Sequence, residues 1–255
     1  NVQKMPIMLK RPRRNRRSEA IRALTQETHL SVEHLVQPLF LVDGSGQKTE
    51  IPSLPGTYRL SLDHTLSEIE ECLRLGLRSF ILFPAVPERH KDKEATYGYH
   101  PDNFYLRAAA GIKARFPQAC LISDVAMDPY SSDGHDGLVL DGRIANDESL
   151  IILSKMAVAQ AEAGFDILGP SDMMDGRVRA IREALDQEGF TQKGIMSYTA
   201  KYASAFYGPF RDALDSAPRE DADIPKDKKT YQMNPANRRE ALIEGELDTA
   251  EGADF

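Results

Sequence analysis

Only two cysteines, Cys72 and Cys120, occur in the 255-residue sequence. Two thiols cannot build a disulfide framework or a four-cysteine zinc site. They suit a reducing, cytoplasmic setting. No apolar run approaches the roughly 18–20 residues that cross a bilayer. The first residues lack the charged start and long apolar core of a signal peptide. Disulfide-stapled secreted domains and membrane-spanning helices are thus excluded as classes.

What is present is ordinary globular material. Apolar residues make up 41% and charged residues 28%, which argues against wholesale disorder. A length of 255 allows two small domains, or one α/β barrel, which commonly reaches about 250 residues. Charge is unevenly spread. Residues 1–22 hold eight basic side chains against Glu19 alone, a local +7, which leaves −14 for the rest of a chain of net −7. Such a tail could meet nucleic acid or an anionic surface, or dock on the acidic body of a neighbouring copy. The stretch from Arg11 to Arg17 has no aromatic residue on which a base could stack. Residues 1–30 are therefore expected to be a self-association arm and residues 31–255 a catalytic barrel domain, with no nucleic acid and no membrane as partner.

Five short apolar runs recur along the body, at residues 36–42, 78–83, 119–125, 165–168 and 194–198. Runs this apolar suit strands buried on both faces, as parallel sheets require. Helical periodicity separates them: residues 66–75 before Gly76, 103–116 before Pro117, 148–163 before Gly164, and 175–185, with a last helix at 237–250. Asn146 or Asp147 is the expected cap of the third. Alternation of this kind predicts right-handed βαβ units and a parallel sheet, either doubly wound or part of an eightfold barrel. Residues 138–144 predict a hairpin on Asp141-Gly142. Residues 216–230 are charged and proline-bearing, and read as a surface linker or an active-site lid.

Three segments could carry chemistry. Lys201 follows the fifth strand among aromatic and small residues. In apolar surroundings its charged form loses hydration and its pKa falls, so that a neutral amine attacks a ketone and forms a Schiff base. A lysine snorkelling from a rim is the alternative. The segment from Asp124 to Asp136 holds four aspartates and His135, a set suited to a hard cation, to proton transfer, or to a turn that satisfies itself. Gly169-Pro170-Ser171-Asp172 runs into a helix, so Ser171 or Asp172 could be a site residue or only a cap.

Together these segments resemble the porphobilinogen synthase (5-aminolaevulinic acid dehydratase) family. The resemblance covers nearly the whole chain. It is carried by Arg11-Pro12-Arg13-Arg14, by Gly169-Pro170-Ser171-Asp172-Met173-Met174-Asp175-Gly176-Arg177, by Ser197-Tyr198-Thr199-Ala200-Lys201-Tyr202-Ala203-Ser204, by Phe206-Tyr207-Gly208-Pro209-Phe210-Arg211-Asp212 and by Tyr231-Gln232-Met233-Asn234-Pro235. It implies a (β/α)8 TIM barrel with an extended N-terminal arm, usually assembled as an octamer. It implies condensation of two 5-aminolaevulinates to porphobilinogen, with loss of two waters, through lysine Schiff bases. Lys201, Asp124 and Ser171 match catalytic positions. Tyr207, Phe210, Arg211, Lys228 and Gln232 match positions around a substrate.

The sequence departs from the family pattern in two places. Zinc-using members carry three cysteines where this chain has Ala126, Asp128 and Asp136. Without soft thiolates a catalytic Zn²⁺ is not expected. The pattern resembles the Asp-rich, Mg²⁺-associated type, with Glu244 at the position of the allosteric Mg²⁺ site and Asp128 and Asp136 as further expected ligands. Second, the family's other Schiff-base lysine falls a few residues beyond Phe255. The expectation is a chain cut before the last strands. A Schiff-base aldolase on the same barrel, or a catalytically dead homologue serving as an assembly subunit, stand as alternatives.

Overall fold

The computed structural model describes residues 8–219 and 223–255. The first seven residues, with Lys4 of the basic tail, and Glu220, Asp221 and Ala222 of the charged loop lie outside the described residues.

The chain divides at Leu35/Val36 into two compact units. In the first, a 3-10 turn at Pro12–Arg16 precedes helix α1 (Glu19–Leu24), neither with a buried residue. Ser18 caps α1 by accepting the Ile21 N–H.

In the second unit, β1 (Val36–Leu41) leads to a hairpin of β2 (Lys48–Glu50) and β3 (Tyr58–Leu60), then α2 (Leu62–Arg74). β4 (Ser79–Pro84), α3 (Phe104–Arg115) and β5 (Cys120–Ile122) follow. A second hairpin, β6 (Leu138–Leu140) with β7 (Arg143–Ala145), interrupts the rhythm before α4 (Asn146–Ala163). β8 (Ile167–Leu168), α5 (Arg177–Gln187), β9 (Gly194–Ile195), α6 (Gly208–Leu214) and α7 (Arg238–Glu251) complete the order. The main sheet runs β2-β3-β1-β4-β5-β8-β9. β1, β4, β5, β8 and β9 are parallel to their neighbours and stand in chain order, joined by helices. That winding is the (β/α)8 barrel class. The five apolar runs are its strands, although the last two pair over only two residues each.

Side-chain alternation makes two cores from one sheet. Leu39, Leu41, Phe80, Leu82 and Leu121 point outward and pack under α2 to α5 with Ile69, Tyr105, Ile112, Met156 and Ile181. Phe40, Ile81, Phe83 and Ile122 point the other way and meet Ala213 and Leu214 of α6, with Phe210 beside them. The inner face is thus closed in part by the helix that follows the Lys201 segment. Nothing in the residue pattern had marked α6 or the β2–β3 hairpin.

Local chemistry accounts for several boundaries. Asn103 accepts the Tyr105 N–H and caps α3. Gly164 closes α4 at φ 105. Asp141 and Gly142 both have positive φ, as the turn between β6 and β7 requires. One expected cap is corrected. Ala145, not Asn146 or Asp147, stands at the start of α4. Asn146 instead accepts the Asp175 N–H at 2.8 Å and donates to the Asp175 carbonyl, tethering α4 to the loop after β8.

Gly169 follows β8 and lies against the residues after β5. Its carbonyl accepts the Val125 N–H, and the Ser171 N–H reaches the Val125 carbonyl. A Cβ at Gly169 would collide with the Ser123 carbonyl oxygen. Replacement Gly169→Ala is expected to destabilise the fold by about 1–3 kcal/mol, because backbone cannot yield there. Denaturant unfolding checks this, and an unchanged midpoint would contradict the close approach.

Candidate active site

The C-terminal ends of β5, β8 and β9 converge on one buried cluster. Asp124 comes two residues after β5. Its backbone is held by two buried side chains: the Asp124 N–H donates to the Tyr105 hydroxyl at 3.1 Å, and Gln160 donates to the Asp124 carbonyl at 2.9 Å. Its carboxylate accepts the Ser171 hydroxyl at 2.6 Å. Ser171 is therefore no helix cap. Asp172 is not the cap of α5 either. It accepts the Met174 N–H within its own turn, and Gly176 caps the helix.

Lys201 is buried, and its Nζ donates to the Ser171 carbonyl at 2.6 Å and stands 3.4 Å from Asp136 Oδ1. The Tyr207 ring centroid lies 5.8 Å from that Nζ. Lys228, also buried, donates to Asp128 Oδ2 at 3.0 Å and lies 3.1 Å from Asp136 Oδ2. The chain after Lys201 is pinned to the segment carrying Gln232. The Met233 N–H donates to the Lys201 carbonyl, and the Ala203 N–H to the Met233 carbonyl. Phe210 meets Phe83 edge-on at 5.0 Å and Tyr207 at 6.3 Å. Gln232 is buried, and its Oε1 has no hydrogen-bond partner among the described residues. Arg211 sits half-buried on α6. Lys201, Asp124, Ser171, Asp136, Asp128 and Lys228 thus form one connected cluster, with Tyr207 against it.

The electrostatics depart from expectation at Lys201. Burial does push its pKa down, but the carboxylates of Asp136, Asp128 and Asp124 outweigh burial and hold it above the ordinary lysine range. The expected depression fails because the surroundings are acidic, not apolar. Burial raises Asp136 too, yet Lys201 and Lys228 outweigh it and hold that carboxyl well below the usual range. Burial, then Asp136, raises Asp128. Asp124 is pushed up to about 7, first by burial and then by Asp128.

A buried lysine beside a protonatable aspartate suits Schiff-base chemistry, and the chain as a whole has known relatives. The family model for delta-aminolevulinic acid dehydratase matches residues 9–255. The chain belongs to that family. It is 54% identical over 250 residues to the chloroplastic delta-aminolevulinic acid dehydratase of Hordeum vulgare, covering 97% of this chain and 57% of that protein. It is 51% identical over 246 residues to the enzyme of that name from Chlamydia pneumoniae, covering 96% of this chain and 73% of that one. The crystal structure of the Toxoplasma gondii ME49 dehydratase (porphobilinogen synthase), in complex with the reaction product porphobilinogen, superposes with a TM-score of 0.88 at 49% identity, over 98% of this chain and 70% of that one. This dehydratase-family chain therefore spans a little over half of the barley protein's length.

The family is metal-dependent, and the residues near Lys201 fit a metal poorly. Asp128 and Asp136, expected as further ligands, face the ammonium groups of Lys228 and Lys201 instead. No group of three His, Cys, Asp or Glu side chains able to hold an ion occurs among the described residues. Glu244 is separate from the Lys201 cluster. It lines a cleft of about 440 Å³ with Asn146, Asp175, Asn234 and Glu240. Burial raises its carboxyl, and Asp248, Asp175 and Glu240 add to that against the opposing pull of Arg177. Lys229 and three methionines also line the cleft, and its three carboxylates leave an excess of negative charge suited to a hydrated hard cation that takes few protein ligands.

Residue-by-residue reading of the sequence missed a second buried network. Arg177 donates to Asp248 at 2.7 Å, and Asp248 also accepts the hydroxyls of Ser197 and Thr199. It ties α5 and α7 to the segment leading to Lys201. A charged residue in each helix was its only trace, and surface residues look the same.

The Asp124 carboxyl makes stability depend on pH. Its folded pKa of about 7 exceeds the ordinary 3.8, so the folded state holds an extra proton between those values. That contribution is complete below about pH 4 and is lost as pH rises to about 7. An Asp124→Asn variant stays neutral throughout. Denaturation measured from pH 4 to 7 should show the wild type losing stability relative to this variant, on the order of 4 kcal/mol at most. A constant difference would contradict the shift.

Proposed function

We propose that this protein condenses two molecules of 5-aminolaevulinate into porphobilinogen with loss of two waters, in tetrapyrrole biosynthesis, with one substrate held on Lys201 as a Schiff base. The observation that carries this reading is the buried Lys201 amine set between the Ser171 carbonyl, Asp136 and the Asp124–Ser171 pair. Family membership and a solved relative complexed with porphobilinogen support it.

Attack needs a neutral amine, so the Lys201 ammonium first passes a proton to a neighbouring carboxylate. Nζ then adds to the ketone carbon, and the ketone oxygen becomes a hydroxyl. Asp124, with a carboxyl near neutrality, protonates that hydroxyl as it leaves as water. Ser171 holds Asp124 in place for the transfer. Arg211 and Lys228 meet the substrate carboxylate. Tyr207 and Phe210 wall the site, and the unpartnered Gln232 Oε1 offers an acceptor. Holding both substrates side by side turns a bimolecular condensation into a local one.

The associated metal on this reading is Mg²⁺, with Glu244 the principal protein ligand and Asp175 and Glu240 beside it. When bound it compensates the acidic field of that cleft. Ala126, Asp128 and Asp136 lack the thiolates that catalytic Zn²⁺ would draw on. The arm, with exposed Leu9, Leu24 and Leu30 among its basic residues, serves assembly into a homo-oligomer, an octamer on the family pattern. No helix among the described residues is long and apolar enough to cross a membrane. Two free cysteines agree with a cytoplasmic placement.

Borohydride reduction in the presence of 5-aminolaevulinate is expected to leave a substrate adduct on Lys201, read by peptide mass. Lys201→Ala should abolish that adduct and lower kcat/KM by about a thousandfold or more. No adduct on Lys201 in the wild type would overturn the proposal. For the metal, chelation should lower activity or shift the oligomer, with Mg²⁺ reversing it and Glu244→Ala blunting the reversal. Recovery with Zn²⁺ alone would refute the assignment.

A further inference from the structure

We propose that His135 and Tyr231 are a pair of positioning residues that clamp residues 225–232 over the Lys201 site, so that Lys228 and Gln232 are held ready for substrate. The inference rests on the reading given under Proposed function for what the substrate is.

His135 is fully buried. Its Nε2 lies 2.7 Å from the Pro225 carbonyl oxygen and its Nδ1 lies 3.0 Å from the Tyr231 hydroxyl. A carbonyl can only accept, so Nε2 carries the proton. The Nδ1 lone pair of the neutral ring then accepts from the Tyr231 hydroxyl. The Tyr231 oxygen in turn accepts the Asp136 N–H at 3.2 Å. Burial holds the His135 pKa below the ordinary value, so the ring stays in the form that this chain of bonds requires. The imidazole and phenol rings pack edge-on at 5.9 Å.

The two contacts bracket the functional part of the segment. Pro225 has no N–H, so its carbonyl is its one backbone hydrogen-bonding group, and His135 takes it. Tyr231 stands at the other end, next to Gln232. Lys228 lies midway, and its carbonyl accepts the Gln232 N–H at 2.8 Å. From there its ammonium reaches Asp128 and Asp136. His135 and Asp136 are adjacent, so the loop after β5 grips the segment with one side chain and pairs with its lysine through the next. His135 itself touches neither Lys201 nor Asp124. Its effect on substrate runs through Lys228 and Gln232, which separates it from the reacting groups.

The test compares His135→Ala, His135→Gln and Tyr231→Phe in the full-length protein. Glutamine keeps one donor and one acceptor; phenylalanine keeps the packing and removes the hydroxyl. One measurement is amide hydrogen exchange of peptides covering residues 225–233. The other is the 5-aminolaevulinate concentration giving half-maximal borohydride trapping on Lys201, with KM and kcat beside it. His135→Ala and Tyr231→Phe should speed exchange and raise half-saturation and KM by about tenfold, with kcat within about twofold; His135→Gln should return toward wild type. If His135→Ala does not fold, Tyr231→Phe carries the test. Unchanged exchange and unchanged half-saturation in Tyr231→Phe would overturn the clamp, as would a fall in kcat with KM intact. A wild type that forms no adduct overturns the substrate assignment alone, and the exchange data then decide the clamp by themselves.

Discussion

Burying charge at the strand ends is the constraint on which the rest of this structure turns. Lys201, Lys228, Asp124, Asp128 and Asp136 are all withdrawn from water. An isolated ion in such surroundings is costly, and removing one member of a buried pair typically destabilises by about 3–5 kcal/mol. Two ammonium groups meet two carboxylates, and Asp124 relieves the excess by titrating near neutrality. The same compensation keeps the proton on Lys201, because the surrounding carboxylates hold its pKa above the ordinary lysine range while Asp136 is held well below the usual carboxylate range.

The sheet supplies the scaffold for that cluster through its two-residue period. Outward residues of β1, β4 and β5 lock the helices, while inward ones meet α6 and Phe210. The strands can be short because their ends are reinforced from outside. Tyr105 and Gln160, from α3 and α4, hold the backbone of Asp124, and the Arg177–Asp248 pair holds the hydroxyls of Ser197 and Thr199. Each reinforcing group sits in the layer behind the site. The precision of the site therefore depends on helices that never reach it.

Much of this was legible before any coordinates. Apolar runs in residues 36–42 and 78–83 were long enough to announce buried parallel strands, and the glycines at 76 and 164 marked helix ends because their φ is positive. The Asp141-Gly142 turn was legible for the same reason. The fate of Asn146 was not. A capping side chain and a tethering one have the same chemistry, and only the loop after β8 decides between them. The pKa of Lys201 was misjudged on similar grounds. Neighbours in sequence are aromatic and small, while the neighbours in space are three aspartates from residues 124–136.

By itself the sequence determined the barrel's strand–helix alternation, the family, and the presence of a lysine and an aspartate-rich segment at strand ends. These are properties of local period and of residue type, and they need no partner to be read. The tertiary structure decided which charges pair, which carboxyl stays protonated near neutrality, and which side chains hold the segment bearing Lys228. Those outcomes depend on distance and burial between residues up to about a hundred positions apart, such as Asp128 and Lys228. Coulomb energy and desolvation are set by separation in space, and no pattern along the chain encodes that separation.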